Sequence, residues 1–231
     1  MSQRITIIWL RHGRKLYDNN KGPEGCYQHD PALDIGAEKE IINRAESLIK
    51  TYGVPTHCVA SPYRRARDTA LWMISAIKGL DAPNVQIDAN ISEFLGHQKI
   101  YMDEKGILNN EPKAELDTLQ FGPPTIGETY NQLFSRCQKH IELFELNPFA
   151  LTVSAPYSKT KDEEKKEDTN QGMVVWVITH GVVISTIQAA LRSTKSKLLL
   201  TKHKVIKTKP EPVSGIVLTG TIGNGLTLTK L

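Results

Sequence analysis

The sequence predicts an α/β protein, with a mostly parallel sheet covered by helices. Short apolar runs alternate along the chain with segments of helical periodicity, and that alternation builds parallel sheets. The runs are nearly continuous rather than apolar at every second position, as strands buried on both faces are. The chain has 231 residues, 39% hydrophobic and 23% charged. That suits a soluble globular protein, long enough for one sizeable core or two small domains.

Ile5 to Leu10, with Ile5, Ile7, Ile8 and Trp9, reads as a buried strand. Arg14 to Pro31 is rich in Gly, Asn, Asp and Pro and reads as a loop. Ile41, Ile42, Ala45, Leu48 and Ile49 place a helix over Glu38 to Tyr52, which Gly53-Val54-Pro55 breaks. His57 to Ala60 is a second strand, ending at Ser61-Pro62. Ala66, Ala70, Met73, Ile74 and Ile77 mark a helix from Arg65 to Leu80, and Val85-Gln86-Ile87 is a short third strand.

Residues 88 to 126 have few periodic features and several Gly and Pro, the composition of a lid or substrate loop. Glu128 to Leu146 returns to helix, with Leu133, Cys137, Ile141 and Phe144 at helical spacing. Ser158 to Gln171 is a charged, low-complexity insertion that reads as a mobile loop. Met173 to Thr179 is the clearest buried strand, and Val182 to Leu191 is helical. Ser214 to Thr221 and Leu226 to Thr229 flank Ile222-Gly223-Asn224-Gly225, the pattern of a terminal hairpin.

Several function classes are disfavoured. The net charge of +4 suits an anionic ligand without requiring nucleic acid. The basic stretch Lys195 to Lys209 has no interleaved aromatic residues, so a stacking surface for single strands is not expected. No apolar run approaches the roughly 20 residues of a membrane helix. The N-terminal residues lack the pattern of a signal peptide, which places the expected location in the cytoplasm or nucleus, away from membranes. Cys26, Cys58 and Cys137 are odd in number and widely spaced, so neither a disulfide framework nor a zinc site is expected. Cys58 and Cys137 read as buried packing residues.

Ligand sites in α/β sheets lie beyond the carboxyl ends of the strands. Arg11, His12 and Gly13 follow the first strand. Ser61, Pro62, Tyr63, Arg64 and Arg65 follow the second, Glu93 lies just past the third, and Thr179, His180 and Gly181 end the fourth. These are the parts of a phosphoryl-transfer site. Arginine pairs bidentately with phosphate oxygens, and a neutral imidazole is a nucleophile near pH 7. A carboxylic acid can protonate a leaving oxygen and then activate water. Gly13 and Gly181 let backbone approach a ligand. Taken singly, each segment has a plain structural reading; four in this order point to chemistry.

At these residues the sequence resembles the histidine phosphatase superfamily, the phosphoglycerate mutase-like enzymes. Arg11-His12-Gly13 is similar to that family's opening motif, and Asp30-Pro31-Ala32-Leu33 with Gly36 to its element before the first helix. Ser61 to Ala70 resembles its S-P-L-x-R-A-x-x-T-A motif, and Ile91 to Gly96 the segment carrying its proton donor. Gly127-Glu128-Thr129 resembles G-E-S, and Val177 to Gly181 the second histidine motif. The resemblance covers nearly the whole chain. It implies a three-layer α/β/α sandwich of phosphoglycerate mutase-like fold, as a single domain over residues 1–231 with a charged insertion at about 158–171.

The resemblance further implies that His12 is the nucleophile and becomes phosphohistidine. Arg11, Arg65 and His180 then bind the phosphoryl group, and Glu93 is proton donor and later base, with no metal or cofactor. Arg14, Lys15 and Asp18 depart from the family pattern, which carries Glu or Gln, Arg and Asn respectively in different members. Arg14 and Lys15 are weighed evenly between substrate contact and loop cations. The leading expectation is a phosphatase acting on a phosphomonoester, with a phosphorylated small molecule or phosphoprotein as substrate. A phosphoglycerate mutase ranks well below it, because residues 97 to 126 lack the mutase middle segment. A non-catalytic phospho-ligand-binding protein is the alternative outside the enzymes. The oligomeric state stays open, a dimer included.

Overall fold

The computed structural model describes residues 4–16, 31–77, 82–94, 128–146, 172–196, 211–221 and 226–231. Strand β1 (Arg4–Arg11) lies inside a six-stranded sheet, parallel to β4 (Met173–Thr179) and antiparallel to β5 (Gly215–Thr221). β2 (His57–Ala60) lies parallel between β4 and β3 (Val85–Ile87), and β6 (Leu226–Lys230) completes the far edge against β5. The order is β3-β2-β4-β1-β5-β6, so the sheet is parallel except at its C-terminal hairpin.

Side chains alternate across a strand, and β1 uses both directions for burial. Ile5, Ile7 and Trp9 enter one core, while Ile8 and Leu10 enter the other. The first core is covered by α3 (Tyr130–Leu146), through Leu133, Cys137 and Ile141, and by α4 (Gly181–Ser196), through Val183, Ile184 and Ile187. The second is covered by α1 (Ala37–Tyr52), through Ile41, Ala45 and Leu48, and by α2 (Arg64–Ser75), through Ala66, Ala70 and Met73. This is the three-layer α/β/α arrangement expected, and it explains why β1 and β4 lack polar alternation. No helix among the described residues is long and apolar enough to cross a membrane.

Element limits shift by a few residues from the sequence reading. α3 begins at Tyr130 rather than Glu128, because Thr129 and Gln132 form a reciprocal cap. The Thr129 amide donates to Gln132 Oε1 at 2.7 Å, and the Gln132 amide donates to Thr129 Oγ1 at 3.3 Å. α4 starts at Gly181 and continues past Leu191 to Ser196, since polar residues end an apolar stripe without ending a helix. α2 ends at Ser75, and the predicted continuation beyond Ile77 lies outside the described residues. Most of the 88–126 segment, the 158–171 insertion, the hairpin turn, Cys26, Asp18 and nearly all of the basic stretch also lie outside them.

Gly215 shows a backbone requirement. A Cβ there would overlap the Trp9 carbonyl oxygen on the neighbouring strand, so only glycine lets β5 close against β1. Cys58 and Cys137 are fully buried, and burial pushes both thiols up to about 12. Both behave as packing residues.

Candidate active site

The parallel strands end in register. Arg11 pairs with Thr179, and Ala60 pairs with both Ile178 and Ile87. The ladder extends one step further: the His12 amide donates to the Thr179 carbonyl, the Ser61 amide to Ile178, and the Asp88 amide to Ala60. Three chain segments are thereby fixed at one edge, and the polar residues that follow them converge there.

His12 sits at 2% exposure. Its Nδ1 lies 2.7 Å from the Gly13 carbonyl oxygen, an acceptor, so Nδ1 carries the proton and Nε2 the lone pair. Arg65 Nε donates to that Nε2 at 3.2 Å, which agrees with the same tautomer. Burial is the main reason the imidazole is held well below its ordinary range; the charges of Arg65, His180 and Arg11 add to it. The ring is therefore neutral near pH 7.

Gly13 is a close-approach position. A Cβ there would lie 2.5 Å from Ile41 Cδ1. The Gly13 amide donates to Thr69 Oγ1 at 2.9 Å, and that hydroxyl donates to the Arg65 carbonyl at 2.7 Å. α1 and α2 thus jointly hold the turn that presents His12.

Arg65, second residue of α2, is 2% exposed. A buried guanidinium needs partners, and it finds them on three sides. Nη2 donates to Glu93 Oε2 at 3.1 Å and lies 3.3 Å from His180 Nδ1, while Nε faces His12. Its Cζ stacks 4.7 Å from the centroid of the Tyr63 ring. Tyr63 also meets His180 edge-on, with centroids 5.1 Å apart. His180 is fully buried, and its Nε2 lies 2.8 Å from Ser61 Oγ.

Glu93 completes the group, with Oε2 3.2 Å from His180 Nδ1. Burial, the largest single influence, raises its pKa. The charge and hydrogen bond of His180, then the charges of Arg65 and His12, outweigh it and hold the carboxyl well below the usual carboxylate range. Before an anion binds, Glu93 is a carboxylate. Arg11 is half-buried at the end of β1, and its charge reaches His12. Gly181 opens α4 immediately after His180, so the first turn of that helix, whose leading amides point out of the helix, adjoins the site.

Arg14 and Lys15 stand differently. Arg14 is about half exposed, with Nε 3.4 Å from Asp34 Oδ2. Lys15 pairs through its backbone with Leu33 in the same loop. The structure thus joins His12, Arg65, Glu93 and His180 in direct contact, adds Arg11 by its charge, and ties Arg14 to the start of α1. Sequence reasoning assigned no role to Tyr63, Thr69, Glu128 or Arg136, and placed Ser61 at a strand end without one.

His12, Glu93 and His180 offer three ligand atoms within 4.8 Å of one another, a spacing a metal ion could bridge. The Arg65 guanidinium lies within 3.3 Å of all three side chains and supplies positive charge at that point. The assembly offers a neutral nucleophilic nitrogen, fixed cations around it, and a carboxylate facing it. Such a set can receive a phosphoryl group and neutralise its charge.

The family described as the histidine phosphatase superfamily (branch 1) matches residues 7–205. No curated protein matches. Solved structures do match in fold. A mycobacterial glucosyl-3-phosphoglycerate phosphatase is 21% identical, with a TM-score of 0.57 over 100% of this chain and 98% of that one. A Bacillus anthracis phosphoglycerate mutase is 17% identical, with a TM-score of 0.59 over 100% and 93%. The Bacillus stearothermophilus protein YhfR is 15% identical, with a TM-score of 0.61 over 98% and 96%.

Proposed function

The chain belongs to the histidine phosphatase superfamily, and on that premise we propose that it is a phosphatase that hydrolyses a phosphomonoester through a phosphohistidine on His12. The observation that carries this reading is the orientation of His12. Its proton is committed to the Gly13 carbonyl, and its Nε2 lone pair faces the Arg65 guanidinium.

In the first step, His12 Nε2 attacks phosphorus and the ester P–O bond breaks. The imidazole gains positive charge, which its Nδ1–H bond to the Gly13 carbonyl disperses. Arg11, Arg65 and His180 bind the phosphoryl oxygens, and Gly181 lets the backbone of α4 approach them. Glu93, protonated in the substrate complex, gives its proton to the leaving oxygen. In the second step, Glu93 as carboxylate takes a proton from water. The water oxygen attacks phosphorus, the P–N bond breaks, and inorganic phosphate leaves.

The substrate class is a phosphorylated small molecule or a phosphoprotein. Arg14 and Lys15 are proposed as outer cations of the loop rather than ligands of the transferred group, since Arg14 is engaged with Asp34. Activity on a broad phosphomonoester panel, compared between wild type and His12→Ala, tests the reading. Turnover by wild type alone supports it. Equal rates contradict it, and turnover of phosphoglycerates only with a bisphosphate primer would make the chain a mutase.

A further inference from the structure

Glu93 is carried by neither a helix nor a strand of the sheet. It follows the 3-10 turn Ala89–Ile91, in a segment that must be held by contacts from elsewhere. Thr179, at the tip of β4, donates to the Ile91 carbonyl at 2.6 Å. The other grip comes from α3. Arg136 Nη1 donates to the Asn90 carbonyl at 2.7 Å, and Nη2 donates to the carbonyl of Glu93 itself at 3.1 Å.

That guanidinium is itself fixed. Glu128 takes it in a two-point fork, Nε to Oε2 at 2.9 Å and Nη2 to Oε1 at 2.7 Å, with side-chain exposures of 12% for Arg136 and 2% for Glu128. One planar group therefore spends its donors on a carboxylate and on two carbonyls flanking the acid. A lysine could keep the charge but not this geometry. One turn further along α3, His140 Nδ1 lies 2.7 Å from Asp88 Oδ2, and His140 Nε2 accepts from Trp9 Nε1 at 3.0 Å. Asp88 in turn accepts from the Asn90 amide at 2.8 Å. α3 holds the segment at both ends.

We propose that Arg136, locked by Glu128, is a positioning residue for Glu93. It sets the carboxyl at the height where the leaving oxygen must be protonated. This rests on the proposed role of Glu93 as proton donor. The role has a specific signature, because proton donation matters in proportion to the basicity of the leaving group. An alkoxide leaving group needs the proton. p-Nitrophenolate, already stable as an anion near neutral pH, needs it little. Displacing Glu93 should therefore slow alkyl phosphates far more than p-nitrophenyl phosphate, whereas general damage to the site slows both alike.

The experiment measures kcat/KM for an alkyl phosphate and for p-nitrophenyl phosphate on the same preparations of wild type, Glu93→Gln, Arg136→Lys and Glu128→Gln. The ratio of the two is independent of how much of a preparation is folded, so partial unfolding does not hide the answer. We expect Glu93→Gln to lose alkyl phosphate activity selectively. Arg136→Lys and Glu128→Gln should show the same selectivity to a smaller degree, roughly 10–100-fold. Adding Arg136→Lys to Glu93→Gln should bring no further selective loss. If Glu93→Gln is selective and the other two slow both substrates equally, or neither, the positioning role is overturned and the reading of Glu93 stands. If Glu93→Gln itself is unselective, that reading falls and the positioning role falls with it.

Discussion

Arg65 donates from Nε to His12 Nε2 across 3.2 Å, so the buried cation points at the nitrogen proposed to attack phosphorus. The contact ties tautomer to charge. Nε2 can accept only as a lone pair, and the same guanidinium depresses the pKa of the ring it faces. In the proposed mechanism, substrate enters between the two and exchanges this bond for one from Arg65 to a phosphoryl oxygen. Arg65→Lys, which keeps a cation without the fork, is expected to lower kcat/KM by about 10²-fold or more, read in steady-state kinetics.

The pH profile should separate free protein from complex. In the free protein, Glu93 is held below the ordinary carboxyl range by His180, Arg65 and His12 against the opposing effect of burial. Its acidic form therefore declines at a lower pH than for an ordinary glutamate, near 4.3. A phosphate dianion bound as proposed would add negative charge beside it and occupy Arg65 and His180, and so raise that pKa. The alkaline limb of kcat should lie at higher pH than that of kcat/KM, since the two report complex and free enzyme respectively. Coincident limbs, after correction for substrate ionisation, would contradict this account of Glu93.

The same shift has a stability consequence of fixed sign. A depressed carboxyl pKa stabilises the fold above its unfolded value of about 4.3 and loses that contribution as pH falls through the folded value. Chemical denaturation of wild type and Glu93→Gln should show a gap near pH 7 that narrows only in acid below that range. A gap constant down to pH 3 would argue against the ion pairing described.

Much of this was legible in the sequence because the strands lead to the chemistry. Continuous apolar runs marked β1, β2 and β4, and the residues just after them are His12, Ser61 and His180. Arg65 lies four residues beyond Ser61 and Glu93 six beyond Ile87, near enough for local motifs to flag both. The supports were harder to read. Arg136 reaches Glu93 across 43 residues and Trp9 meets His140 across 131, and no periodicity announces such pairs. A signal did exist: Arg136 and His140, four apart, each precede a member of the buried stripe Cys137 and Ile141, where polar residues need partners. The left-handed Val213, with φ of 54° in the turn whose amide donates to the Arg11 carbonyl, had no local marker at all. A β-branched residue there is set by tertiary context.

Gly13 offers a test of how tightly His12 is seated. In Gly13→Ala the new methyl meets Ile41 Cδ1, an overpacking expected to cost roughly 1–3 kcal/mol. Ile41→Val removes that methyl. Combined with Gly13→Ala it should recover part of both stability and activity, a positive coupling in a double-mutant cycle. Strictly additive losses would place the strain elsewhere.

Ser61→Ala removes the partner of a buried imidazole nitrogen. The loss of orientation at His180 is expected to lower kcat/KM by roughly 10–100-fold, the equivalent of about 1–3 kcal/mol. Ser61→Thr, which retains the hydroxyl, should lie nearer wild type. Equal losses in the two variants would point to packing rather than the hydrogen bond.

The proposed mechanism places the phosphoryl group on His12 between the two steps. Rapid quenching of turnover with a labelled phosphomonoester, into alkali that preserves a P–N bond, followed by peptide mapping, tests it directly. Label on the peptide containing His12 in wild type, raised in Glu93→Gln on an aryl phosphate and absent in His12→Ala, is the predicted result. Phosphate release by wild type with no label on His12 would contradict a phosphohistidine intermediate there.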